Sequence, residues 1–467
     1  MMTFVLDSID SNERWPCAEQ RPERKLGAVT PPDGPLIPAA AGAGAGVIPD
    51  SPRLGEQSAL SRILERGKVR AALSLLGPAF VASVAYVDPG NFATNFQSGS
   101  EHGYLLVWVI VMANLMAVLV QYLTSKLGLF SGQSLPEMCR DAFPKRANVM
   151  LWIQAEVIAM ATDLAEFTGA AVGLNLVFHI QLFVAGLITA VIAFGILALE
   201  QRGYRRFELA IIALLSFVAL GFLVDFFTVG RQSYPGIAKG LIPHLGGGDT
   251  LSLTVGIIGA TVMPHVVYLH SSLQKNRVRP TTPKEGQTLL KYNRWDCFIG
   301  LGIAGLVNLS MLCIAAGLFH HPGLTGVNDL GPVHSHLGTL VGGGTALAFG
   351  IALIASGLSS SSVGTYAGQV VMAGFMNWQI PLFLRRALTM IPSLIVLALA
   401  VNTTNALVIS QIILSFGIPF ALVPLILLTR NRERMGEMVN RVRTSSIMWV
   451  VVAVISVLNV DLIITSI

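Results

Sequence analysis

Two short stretches place charge, soft sulfur and helix-breaking residues inside otherwise apolar sequence. The first reads Val84-Ala85-Tyr86-Val87-Asp88-Pro89-Gly90-Asn91. Pro89 has no N–H to donate and pushes Asp88 away from helical angles, while Gly90 tolerates almost any backbone angle. The second reads Ala260-Thr261-Val262-Met263-Pro264-His265, followed by Tyr268-Leu269-His270-Ser271. Pro264 removes another ladder hydrogen bond and frees a carbonyl near Ala260. Brought together, the breaks offer the Asp88 carboxylate, the Asn91 carbonyl oxygen, the freed carbonyl and the Met263 thioether. Sodium, magnesium and calcium are held by hard oxygens alone. A thioether gives them little but suits softer first-row metals. The set describes a site for Mn²⁺ or Fe²⁺, open also to cobalt, zinc or cadmium, and weak enough to release its ion. The competing reading of the first break is a kink whose Asp88 is capped by local amides and binds nothing. Taken singly, Met263 reads as core filler and His265 as a hydrogen-bonded core histidine.

Glu156, Asp163 and Glu166 are spaced seven and three residues apart, which puts them near one helical face. With His265, His270, Arg385 and Arg386 they form a candidate proton route, because acid and histidine chains inside membranes relay protons. The alternative is an architectural network pairing these acids with the two arginines. His320, His321, His334 and His336 fall in an external connection without diagnostic spacing and read as a solvated loop. Cys17, Cys139, Cys297 and Cys313 form no CxxC pair, and neither a disulfide framework nor a cysteine metal site is expected.

The elements that must position these residues are membrane helices. The chain is 53% hydrophobic and only 12% charged, whereas soluble chains carry about 25% charged residues. Eleven hydrophobic segments lie at approximately 72–98, 104–128, 147–175, 180–199, 207–229, 250–273, 297–319, 344–374, 381–401, 406–429 and 446–466. The Gly- and Ser-rich segment 344–374 is the weakest. A bilayer core needs about 20 helical residues to cross. Of the 31 basic residues, twenty fall in connections on one side and nine before the first segment. Only Arg231 and Lys239 fall on the other side, as the positive-inside rule requires for a cytoplasmic amino terminus and an outside carboxyl terminus. Residues 1–60, rich in Pro, Gly and Ala, read as a disordered cytoplasmic tail without a signal-type apolar stretch. Residues 61–466 read as one transmembrane domain.

The first and sixth segments correspond if 72–229 and 250–429 are two five-helix halves and 446–466 is an extra helix. Paired interrupted segments in two halves point to a transporter's binding site, and an odd number of spans per half inverts one half relative to the other. There is no GxxxxGK[ST] loop and no soluble segment long enough for a nucleotide domain. An ion gradient is therefore the expected driving force. The net charge of +5 accompanies no basic stripe interleaved with aromatics, so nucleic acid is not an expected partner. The runner-up is a sodium-coupled amino-acid carrier of the same architecture. A membrane metalloenzyme using His265 and His270 is disfavoured by their spacing of five and the lack of a His-Glu-x-x-His element.

Asp88-Pro89-Gly90-Asn91 together with Met263-Pro264-His265 resembles the Nramp family of proton-coupled divalent-metal transporters, over residues from about 70 to 466. Gly364-Thr365-Tyr366-Ala367-Gly368-Gln369 and Gln411 extend the likeness, which is greatest to its bacterial manganese-transporting MntH type. The resemblance implies an all-α, LeuT-like inverted repeat in the cell inner membrane, working by alternating access. It has no enzymatic cofactor, and its partners are divalent metal ions, protons and the lipid bilayer. It implies metal coordination by Asp88, Asn91, the Ala260 carbonyl and Met263, with the Ala85 carbonyl and Gln411 joining in some states. Asp88, His265, Asp163, Glu166, Arg385 and Arg386 fall on the proton side. Met263 argues against the family's magnesium carriers. Val266 and Leu358 depart from residues common in the family, which bears on gating and not on the proposed ligands.

Overall fold

The structure, a computed structural model, describes residues 59–65, 67, 75–201, 204–230, 232–244, 246, 248–275, 277–278, 280–321, 324, 327, 329–399 and 401–466. The expected tail lies outside this set up to residue 58. Residues 59 and 60, also assigned to the tail, instead open the helix α1 (Ala59–Glu65). Its Leu60 is buried against Leu75, Leu129, Val278 and Leu289, and this distant packing orders a stretch too short to show a period of its own.

All regular structure among the described residues is helical. The first segment is two helices, α2 (Pro78–Ala85) and α3 (Pro89–His102), and α4 (Val107–Ser131) follows. A short connecting helix α5 (Leu135–Ala142) leads to α6 (Lys145–Phe178), α7 (Leu182–Gln201), α8 (Tyr204–Val229) and the short α9 (Tyr234–Gly240). The sixth segment is again split, into α10 (Gly248–Thr261) and α11 (Pro264–Lys275). Then come α12 (Pro283–Phe319), α13 (Leu330–Leu340), α14 (Gly343–Met376), α15 (Leu382–Ala398), α16 (Thr403–Thr429), α17 (Arg432–Met435) and α18 (Val442–Ser466).

Eight candidate spans among the described residues are long and apolar enough to cross a membrane: α4, α6, α8, joined α10–α11, α12, α14, α16 and α18. The remaining expected segments coincide with the split α2–α3, with α7 and its shorter apolar stretch Leu182–Ile196, and with the 17-residue α15.

Three elements differ from the sequence reading in extent. The weakest segment is an unbroken 34-residue helix, α14. Its serines bond back to their own helix: Ser359, Ser360 and Ser362 donate to the carbonyls of Ala355, Ser356 and Leu358 at 2.7–2.9 Å, which satisfies each hydroxyl without breaking the ladder. The 37-residue α12 starts well before residue 297, with Thr282 Oγ1 accepting the Glu285 N–H at 3.3 Å. Its polar first turns lie beyond any apolar window. The connection expected to be a solvated loop contains α13, whose Leu330, Val333 and Leu337 are buried.

Candidate metal centre and proton route

A helical N–H at position 89 would bond the Ala85 carbonyl, and Pro89 has none. The chain closes α2 instead with tight turns, Tyr86 N donating to Ser83 O and Val87 N to Val84 O, each at 3.1 Å. Asp88, at φ −93° and ψ 166°, is the N-cap of α3, with Pro89 in the first turn. Its Oδ1 accepts the Asn91 backbone N–H at 2.9 Å and Asn91 Nδ2 at 2.7 Å. The local capping weighed from sequence is therefore present, but it uses one carboxylate oxygen. The other, Oδ2, faces Gln411 Nε2 of α16 at 3.5 Å, the outer limit of a hydrogen bond. A β-carbon on Gly90 would fall on the Gln411 carboxamide, so glycine there leaves the room in which that side chain lies.

The second break repeats the first. Pro264 leaves the Ala260 carbonyl without its helical donor, and Asn91 Nδ2 takes it at 3.0 Å. The side chain of Asn91 thus ties the two breaks together. Met263 lies in the link between α10 and α11 and is fully buried, as are Ala85, Asp88, Asn91, Ala260 and Gln411. Two oxygens of this group, Asn91 Oδ1 and Gln411 Oε1, are buried acceptors without a hydrogen-bond partner. Such atoms are rare in a packed interior, and each calls for a reason.

Unwound backbone at bilayer depth needs partners from elsewhere in the protein. Asn308 of α12 donates to Tyr86 O at 2.9 Å, and the Ser356 hydroxyl of α14 donates to Val87 O. Neither residue was singled out from the sequence, and only their distance from residue 86 along the chain hid them.

The candidate proton residues fall into three groups. Arg385 makes a two-pronged ion pair with Glu156, at 2.7 and 3.2 Å. Arg386, fully buried, pairs with Asp163 at 2.9 Å and is also held by Thr365 Oγ1 at 3.0 Å and by Ser361. Two of the three α6 acids thus engage the α15 arginines, which is the architecture offered as the alternative. Glu166 stands apart: it is fully buried, and neither carboxylate oxygen makes a hydrogen bond. The two histidines part company. His265 Nδ1 lies 3.2 Å from Thr162 Oγ1 on α6, and Thr162 already donates its hydroxyl to Ile158 O at 2.9 Å. The imidazole is then the donor at Nδ1, which leaves Nε2 a buried, unpartnered acceptor. His270 turns to α4, where its Nδ1 meets Gln121 Oε1 at 2.9 Å and Gln121 Nε2 donates to Tyr86 Oη at 2.6 Å. It is not gathered with the α6 acids. Among the external histidines, His320, His321 and His336 each meet a backbone carbonyl, at 2.8–3.1 Å.

Comparison with known proteins identifies the family. Residues 79–465 match the family model described as Nramp, natural resistance-associated macrophage protein-like. The divalent metal cation transporter MntH of Deinococcus radiodurans is 46% identical over 391 residues, spanning 84% of this chain and 89% of that one. MntH of Bacillus subtilis is 47% identical over 402 residues, spanning 85% and 94%. Among solved structures, a manganese transporter of Eremococcus coleocola superposes with a TM-score of 0.77 at 31% identity, over 84% of this chain and 86% of that one. The fold is shared more distantly with the nucleobase-cation-symport transporter Mhp1, at a TM-score of 0.55 and 14% identity. With a family model spanning nearly all the described helices and relatives near half identity over most of their length, this chain belongs to the Nramp family of transporters.

Proposed function

We propose that this chain carries divalent transition-metal ions, Mn²⁺ foremost, into the cytoplasm together with protons, by alternating access. The observation that carries the reading is the buried knot of Asp88, Asn91 and the Ala260 carbonyl, with unpartnered oxygens on Asn91 and Gln411. The Asn91 amide hydrogens sit between two acceptors that a cation would bridge. Turning that amide over presents Asn91 Oδ1 to an ion and releases Asp88 Oδ1 and Ala260 O toward it. Met263 supplies sulfur and the selectivity that sulfur brings. The Ala85 carbonyl, which Pro89 leaves without its helical donor, and Gln411 Oε1 are further donors available as the helices move. On the proton side we assign Asp88, Glu166 and His265 to transfer. Asp163 with Arg386 and Glu156 with Arg385 hold the charge balance of the route. His270 is reassigned to the polar seam of Tyr86 and Gln121, beside α4.

We further infer eleven spans, with the amino terminus in the cytoplasm and the carboxyl terminus outside, arranged as two inverted five-helix halves and an extra helix. The placement of basic residues and the two matching breaks support this topology. The metalloenzyme reading loses its ground because His265 and His270 address different helices, and family membership sets aside the amino-acid carrier. The test is flux into liposomes containing purified protein and an internal pH dye. Mn²⁺ entry accompanied by acidification is the expected result. A protein that binds no Mn²⁺ and moves none would overturn the reading.

A further inference from the structure

Helix α14 carries Gly364 and, one turn later, Gly368 on the side that faces the charged residues of α6 and α15. Glycine weakens a helix interior relative to alanine, so two of them a turn apart need a reason. A β-carbon on Gly364 would lie 2.7 Å from Glu166 Oε2, 3.4 Å from its carboxyl carbon and 3.5 Å from Asp163 Oδ1. A β-carbon on Gly368 would fall on the Arg385 guanidinium. Gly357, two turns earlier, is different: there the obstacles are the Glu166 carbonyl oxygen at 2.7 Å and Ala170 N and Cβ at 2.8 Å, which is close packing of helix against helix.

The contrast matters because of how Glu166 is held. It makes no hydrogen bond through either oxygen. Ser360 lies beside it, but its single hydroxyl hydrogen goes to Ser356 O at 2.8 Å. The charged groups within reach are Asp163 on its own helix, Asp88 from the first break and Arg386 from α15. A group placed by no hydrogen bond is placed by the shape of its seat. We propose that Gly364 and Gly368 are positioning residues of the proton route: the missing side chains leave the seats in which the Glu166 carboxylate and the Arg385 guanidinium lie. This rests on the proton route given above and deepens it. Alanine at 364 displaces the Glu166 carboxylate from this seat, with no bond to draw it back.

The test is a cycle of Gly364→Ala, Glu166→Asp and the double variant, with Gly357→Ala for comparison, in Mn²⁺-loaded proteoliposome assays that read metal and proton flux together. Gly364→Ala is expected to lower the protons moved per Mn²⁺ at least threefold and shift the pH profile, with Mn²⁺ affinity within threefold of the parent. Glu166→Asp, one methylene shorter, relieves the clash, so the double variant recovers proton flux relative to Gly364→Ala. Gly357→Ala slows both fluxes in proportion. Additive effects in the cycle, or an equal change of ratio in Gly357→Ala, would overturn the seat. If Gly364→Ala fails to assemble, the cycle is read on thermal unfolding in detergent. There, stabilisation of Gly364→Ala by Glu166→Asp supports the seat, and its absence refutes it. A parent protein that moves Mn²⁺ without protons overturns the route itself, and the seat with it.

Discussion

Replacing Asp88 by asparagine separates what this residue does for the fold from what it does for the ion. In the fold, Asp88 Oδ1 accepts the Asn91 N–H at 2.9 Å and caps α3. Asparagine is as good an N-cap as aspartate, whereas alanine loses about 0.5–2 kcal/mol. The apo protein should therefore unfold within about 1 kcal/mol of the parent for Asp88→Asn, and lower for Asp88→Ala. The ion loses far more. Two unit charges 4 Å apart at an effective dielectric near 20 attract by about 4 kcal/mol. A doubly charged ion at coordination distance raises the Coulomb term further, and desolvation of ion and carboxylate takes part of it back. Taking about 4 kcal/mol as the loss, Asp88→Asn weakens Mn²⁺ binding roughly a thousandfold. Calorimetric titration of detergent-solubilised protein gives the affinity, and thermal unfolding without metal gives the stability. Binding within tenfold of the parent would refute Asp88 as the charged ligand. A large loss of apo stability would show that its role is architectural after all.

Other consequences are sharp enough to measure. Met263→Ala should keep part of the Mn²⁺ flux while admitting Ca²⁺ or Mg²⁺, and unchanged discrimination in a competition assay would rule out the sulfur's role. Arg386→Met strands the buried Asp163 charge and should cost about 3–5 kcal/mol in thermal unfolding, part of which Asp163→Asn restores. Asn308→Ala leaves Tyr86 O without its donor at 2.9 Å, with an expected loss of about 1–3 kcal/mol. At the carboxyl-terminal end of α11, burial pushes the Glu137 carboxyl up, but Lys275 at 2.6 and 2.7 Å and the Ser134 N–H outweigh it and hold the group below the usual glutamate value. A carboxyl held low stabilises the fold above its unfolded pKa and loses that contribution only as pH falls through the folded value. Hydrogen exchange of α5 should therefore be flat from about pH 5 to about pH 8, once corrected for intrinsic rates. It should rise in Glu137→Gln across that range. A parent protein that loosens already near neutral pH would contradict the assignment.

Both helix breaks were legible in the chain because proline acts locally: it removes a donor to a known partner four residues back. That argument reached the Ala260 carbonyl, which the structure joins to Asn91 and through it to Asp88. Membrane insertion was equally legible, since crossing a bilayer demands long apolar stretches of helix. What residues 84–91 do not contain is the identity of the groups that satisfy the unwound carbonyls. Asn308 and Ser356 lie more than two hundred residues away and meet the break only through the rotation and depth of their helices. For the same reason the sequence grouped His270 with the α6 acids, whereas packing turned it to Gln121. It also listed Glu156, Asp163 and Glu166 as equals on one face. Tertiary structure paired the first two with arginines and left the third without a hydrogen bond beside a glycine, because spacing along a helix sets direction while only the neighbouring helix sets what is met there.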